Sequence, residues 1–211
     1  QLNSGPGDRR MNLDLSGLPN GKVNNNEKRF VVSNASEKNA IVVGVKGDGE
    51  CPFERSVKGI LIERNVSSLI FLHASLNPGL ISSAYCMPYN MYDTSELLGW
   101  YEVVYEDGFI ETIPIRYGVN IREYTSKENC YYSDAIEMGD KVFYAYEWKN
   151  KRLGKKINTV NLISTLNAQR HLNDSCFEGK PEFETIPSNG LILLGLSAVE
   201  VRKKHIYPYK N

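Results

Sequence analysis

Short runs of β-branched, aromatic and aliphatic residues follow one another along this chain, and turn-forming residues fill the gaps between them. The runs are Arg29 to Ser33, Ala40 to Val45, Val57 to Glu63, Ser68 to His73, Trp100 to Glu106, Phe109 to Ile115, Lys141 to Trp148, Lys156 to Ile163 and Leu191 to Val201. Helical periodicity is weak throughout. Asn34 to Asn39, Gly47-Asp48-Gly49 and Glu106-Asp107-Gly108 carry the Asn, Asp and Gly that turns use. Many short strands with no strand and helix alternation argue for an all-β, antiparallel sandwich or barrel and against a parallel α/β sheet.

Asp107-Gly108 is the clearest hairpin signal. Placed at the two central positions of a tight turn with positive φ, it joins Trp100 to Glu106 with Phe109 to Ile115. Along the first of these strands Tyr101, Val103 and Tyr105 share one face, opposite Trp100, Glu102 and Val104, so one set is expected to look inward. Residues 1–28 are rich in Gly, Pro, Asn and charge and read as an irregular arm. The sandwich domain is then expected over 29–205, with a short tail at 206–211.

With 41% hydrophobic and 24% charged residues among 211, the chain has the apolar material for one ordinary core. Its 25 basic and 25 acidic side chains cancel, which demotes nucleic acid and anionic membranes as partners. The longest uncharged apolar stretch, Leu191 to Val199, is about half of a membrane-spanning helix, so no membrane insertion is expected. The first residues hold no hydrophobic signal core and no initial Met, and read as the start of a fragment or processed product.

No constellation of reactive residues stands out. Cys51, Cys86, Cys130 and Cys176 lack the close pairing of a structural zinc site and leave both disulfides and free thiols open. His73, His171 and His205 have no partner at metal-ligand spacing; His73 closes an apolar strand, where packing and hydrogen bonding of its ring are the better reading. The glycines make no phosphate loop. Gly47-Asp48-Gly49-Glu50 could offer oxygens to calcium but lacks the EF-hand pattern, so a turn is the stronger reading and no cofactor is expected. Glu102, Glu106, Asp107, Glu111 and Glu147 are the carboxylates a glycosidase pair could draw on, yet acids beside a hairpin are usually solvated. No catalytic residue is assigned.

Aromatic content is the remaining bias: thirteen Tyr, seven Phe and two Trp. The longest inter-strand segment of the first half, Ala74 to Gly99, carries Tyr85, Tyr89 and Tyr92 beside Asn77, Asn90 and Asp93. A tyrosine offers a flat apolar body with a polar tip, which suits the C–H faces and hydroxyls of a sugar; a capping hydrophobic cluster at one end of the sandwich is the equal alternative. Trp100 adjoins this segment, and His73, Arg116 and Trp148 are weaker candidates for the same surface.

Four stretches in this order resemble the galactose-binding-like β-sandwich modules appended to bacterial glycoside hydrolases. They are Gly5-Pro-Gly-Asp with Asn12-Leu-Asp-Leu, the strand Ser68-Leu-Ile-Phe-Leu-His-Ala74, the hairpin Gly99 to Gly108 leading to Ile113-Pro-Ile115, and Tyr146-Glu-Trp-Lys-Asn150. The chain departs from such modules at Trp148 to Leu153, where prolines often follow, and in lacking a strand before Gly5. The resemblance implies a jelly-roll accessory module of a secreted or cell-surface enzyme, without catalysis of its own. Its expected partners are a carbohydrate and a catalytic domain of the same polypeptide. The alternatives are a purely structural sandwich bracing such a domain and, third, a hydrolase using a pair such as Glu102 and Glu147.

Overall fold

The computed structural model describes residues 18, 21–25, 28–32, 40–46, 51–76, 97–165 and 189–201. These form eleven strands: β1 (Gly21–Asn25), β2 (Lys28–Val32), β3 (Ile41–Val45), β4 (Ser56–Arg64), β5 (Val66–Ser75), β6 (Leu97–Tyr105), β7 (Ile110–Arg116), β8 (Ser133–Met138), β9 (Lys141–Lys149), β10 (Ile157–Ser164) and β11 (Asn189–Glu200). Among the described residues no helix is long and apolar enough to cross a membrane.

Every strand pairing is antiparallel. One sheet runs β4-β10-β6-β7, a second runs β3-β11-β5-β9-β8, and β1 with β2 makes a separate hairpin. The two large sheets share one hydrophobic core, as a β-sandwich does. Tyr101, Val103, Tyr105, Ile113, Ile115 and Leu162 enter it from the first sheet, and Leu69, Phe71, Trp148, Leu191 and Leu193 from the second. The period-two alternation expected along Trp100 to Glu106 thus holds, with the tyrosine face inside. Burial of each such Leu, Ile or Phe side chain contributes about 1.5–3 kcal/mol.

The outer face of the five-stranded sheet is covered as well. Ile70, Leu72, Ala74, Phe143, Ala145, Ile192 and Leu194 point away from the shared core and pack with Phe30 and Val32 of β2 and with Leu18. Strand β5 and the first half of β11 are therefore buried on both faces, which is why Leu69 to Leu72 and Leu191 to Leu194 are continuous apolar runs with no alternation. Gly195 admits the hairpin closely, since a Cβ there would stand 3.2 Å from the Phe30 ring. Polar contacts pin the hairpin across the sheet: Ser197 Oγ donates to Arg29 O at 2.6 Å, and Lys28 Nζ pairs with Asp134 at 2.6 Å.

All nine expected runs are strands, and two further strands were not expected. Gly21–Asn25 falls within the stretch read as irregular arm; its sequence, Gly-Lys-Val-Asn-Asn, has no β-propensity of note, and it is a strand because β2 lies beside it. Ser133–Met138 is built from Ser, Asp, Ala, Ile, Glu and Met, weak strand formers ordered by pairing with β9.

The β6–β7 turn also differs from expectation. Gly108 N–H donates to Tyr105 O at 3.0 Å and Tyr105 N–H to Phe109 O at 2.9 Å, which defines a three-residue loop, Glu106-Asp107-Gly108, closed by a glycine bulge. Only Gly108 has positive φ, at 81°, and Asp107 does not. The Asp107 carboxylate is instead gripped by both terminal nitrogens of Arg152, at 3.1 and 2.8 Å, whose guanidinium lies over the Tyr105 and Phe109 rings. That fork holds the Asp107 carboxyl far below the usual carboxylate range. A Cβ at Gly108 would meet nothing within 4 Å, so the cost of a side chain there is conformational alone. Gly108→Ala is expected to lose about 1 kcal/mol and the β-branched Gly108→Val more; equal urea midpoints for wild type and Gly108→Val would refute the turn geometry.

Candidate functional site

His73 on β5 and Tyr101 on β6 meet between the sheets, and both are almost fully buried. His73 Nε2 is 2.8 Å from Asn120 O, a carbonyl that only accepts, so Nε2 carries the proton. Nδ1, 2.9 Å from the Tyr101 hydroxyl, then accepts from it. Burial lowers the His73 pKa to about 4, against the smaller opposing effect of the Asn120 hydrogen bond. The ring is neutral and structural at neutral pH.

Asn120 carries this order into the connection between β7 and β8. Its side chain accepts from Arg116 N–H at 2.9 Å and donates to Pro114 O at 2.9 Å, while its carbonyl also accepts from Ser133 Oγ at 2.6 Å. Further along, Arg122 pairs with Glu128 at 2.5 Å and donates to Asn129 O. The Tyr144 hydroxyl reaches Ser126 O and Glu128 O at 2.9 and 3.0 Å. Cys130 is buried here beside Tyr144; desolvation pushes its thiol up to about 12, so it stays protonated and is no nucleophile.

This framework presents two tyrosines to solvent. Tyr131 N–H donates to Gly118 O and Tyr132 N–H to Val119 O, at 3.2 and 2.8 Å, so both backbones are anchored on the Asn120 turn. The two residues are 67% and 54% exposed, and their rings meet edge to face with centroids 4.8 Å apart. Residues 129–135 line an open depression of about 590 Å³ beside them. Within it the Asp134 carboxylate is held by Lys28 from the hairpin. An exposed aromatic pair on a fixed backbone, next to hydroxyl, amide and carboxylate groups, can stack against one ring of a ligand and hydrogen-bond its edge.

Of the residues expected from sequence, His73, Trp100, Arg116 and Trp148 are among the described residues. Tyr85, Tyr89 and Tyr92 lie outside the described residues. The chain on either side of their segment is described: Leu76 N–H donates to Gly190 O and Thr165 N–H to Leu98 O, and the Asn189 side chain donates to Leu98 O and Thr165 O. Trp100 and Arg116 are half-buried on the outer face of the four-stranded sheet. His73 and Trp148 are in the core between the sheets, where neither ring offers a surface to a ligand. Glu102 and Glu147 project from opposite outer faces of the sandwich and cannot flank one substrate across a cleft. Among the described residues no three His, Cys, Asp or Glu side chains converge as metal ligands would.

Tyr131 and Tyr132 were missed because a tandem pair in a stretch without alternation carries no periodic signal. Their only sequence cue is the cluster Asn129 to Asp134, two rings flanked by short polar side chains. No family model, no curated protein and no solved structure matches this chain.

Proposed function

We propose that this chain is a non-catalytic carbohydrate-binding or docking module, a jelly-roll sandwich of galactose-binding-like type that serves a larger carbohydrate-active enzyme. The observation that carries the reading is the Tyr131 and Tyr132 pair, exposed on an anchored backbone beside an open polar depression. The jelly-roll assignment is supported by the path of the chain, which changes sheet from β3 to β4, β4 to β5, β5 to β6, β7 to β8, β9 to β10 and β10 to β11. In this reading Tyr131 and Tyr132 supply the stacking surface, and Tyr85, Tyr89, Tyr92 and Trp100 remain candidates for a wider one.

A shallow site taking one or two sugar rings binds weakly, in the micromolar to millimolar range, or about 4–8 kcal/mol. A glycan array followed by NMR titration of wild type and a Tyr131→Ala, Tyr132→Ala double variant tests it, with circular dichroism to establish that the variant folds. Affinity is expected to fall roughly tenfold or more, about 1.4 kcal/mol, in the folded variant. Equal binding by the variant removes these tyrosines from the site. A wild type that binds no glycan turns the same exposed rings into a surface for a neighbouring domain.

A further inference from the structure

The two large sheets end in four edge strands, β4, β7, β3 and β8, each with a row of outward N–H and C=O groups that another strand could pair with. Three of these edges are blunted. β4 carries a bulge at each of its two register shifts against β10, with Gly59 and Glu63 at positive φ, so it cannot template a regular ladder. On β7 the missing N–H of Pro114 falls on the outward side, and the Asn120 side chain already takes the neighbouring outward groups, Pro114 O and Arg116 N–H, both at 2.9 Å. β3 is five residues long, and its Gly44 N–H donates to Glu54 O at 2.8 Å.

β8 has none of these devices. It contains no proline or glycine and pairs with β9 from Ser133 to Met138 without a register shift. The turn between them, Gly139-Asp140, is two residues long with Gly139 at positive φ, so Met138 and Lys141 form the closing hydrogen-bonded pair. Ile136 and Asp134 then also bond to β9, while the N–H and C=O groups of Ser133, Ala135 and Glu137 point away from it. Val142 N–H, which donates to Tyr124 O on the far side of β9, fixes the same parity. Among the described residues no backbone group pairs with this outward row. The acids of β8 do not guard it, because Asp134 is held by Lys28 and Glu137 by Lys127 of the same chain.

We propose that β8 pairs with β8 of a second copy of this chain, antiparallel about a two-fold axis at Ala135, so that the five-stranded sheet continues from one copy into the other. A two-fold contact demands self-complementarity, and this edge has it. Ala135 faces the partner's Ala135, and Ser133 faces the partner's Glu137 on either side, so every outward residue meets an outward residue and each pair exchanges both of its hydrogen bonds. Asp134 falls opposite the partner's Ile136, so no two like charges oppose one another across the new ladder. The alanine at the axis leaves no bulk between the strands. The contact is narrow, well below the area of an obligate dimer, and its expected dissociation constant is therefore in the micromolar to millimolar range.

Sedimentation equilibrium of the whole chain without sugar, up to about 1 mM, is expected to raise the apparent mass from 23.9 kDa toward twice that value, with the Ala135 and Glu137 amide NMR signals shifting over the same concentrations. Glu137 is exposed and its N–H is outward, so Glu137→Pro removes a donor from the edge and none from the ladder with β9. It is expected to weaken association roughly tenfold or more. Ala135→Glu and Ala135→Lys each set like charges against one another at the axis and are each expected to be monomeric, while their equimolar mixture is expected to re-form a dimer. Circular dichroism and urea midpoints establish that the variants fold. The proposal is overturned if the chain is monomeric at every concentration, if folded Glu137→Pro associates as well as wild type, or if the mixture associates no more than its components. Sugar is absent from every arm, so a failure here leaves the glycan reading of Tyr131 and Tyr132 standing, and a failure of that reading leaves these masses unchanged.

Discussion

Asn150→Ala is expected to cost about 3–5 kcal/mol of unfolding free energy, enough to leave a domain of this size near its stability threshold. Asn150 is 5% exposed at the end of β9, and its side chain ties three segments together. Nδ2 donates to Val66 O at 2.8 Å; Oδ1 accepts from the Tyr105 hydroxyl at 2.7 Å and from Arg152 N–H at 2.8 Å. Alanine would take the side-chain donor from the buried Val66 carbonyl, would leave the Tyr105 hydroxyl only its longer contact to Glu111 at 3.4 Å, and would release the Arg152 backbone that aims the guanidinium at Asp107. Urea denaturation reads the effect. A loss under about 1 kcal/mol would mean that water replaces Asn150 without strain, and that the contacts at this end of the sandwich are not what holds it.

Acidification is expected to remove about 3 kcal/mol through His73 alone. Its pKa falls from 6.5 to about 4 on folding because burial penalises the charged ring. The unfolded chain therefore binds more protons than the folded one between these values. Stability rises with pH across that window: the His73 contribution is complete above pH 6.5 and is lost as pH falls through 6.5 toward 4. Urea melts across the window measure the slope, and NMR of the imidazole ring assigns it. The ring should remain the neutral Nε2–H tautomer at pH 6; a His73 that titrates near 6.5 in the folded protein would refute both the buried network and the slope.

Both effects rest on pairings that span the chain, which sets how far sequence reading reaches. Strand positions were legible because alternation and uninterrupted apolar runs record burial directly: Tyr101, Val103 and Tyr105 point inward as their spacing implies. The His73 ring is packed and hydrogen-bonded, as its place at the end of an apolar strand suggests, yet its acceptor is the carbonyl of Asn120, which no local pattern marks. Trp100 ranked above Trp148 as a candidate only because it adjoins the Ala74 to Gly99 segment. Parity on their strands and the partner sheet placed one on an outer face and the other in the core.

From the amino-acid order alone follow the all-β antiparallel class, nine of the eleven described strands and the location of the β6–β7 hairpin, since each depends on neighbouring residues and on local φ preference. Tertiary structure alone decided the rest. β1 and β8 exist because partners lie beside them, and the hairpin loop gained Glu106 because register across β6 and β7 determines which residues remain unpaired. Tyr131 and Tyr132 stand out in solvent because Gly118 and Val119 hold their backbones, and Glu102 is flanked by Trp100 and Asn161 because three strands set their register. Such surfaces are made by residues distant in sequence, and their geometry comes into being only when the two sheets close on their shared core.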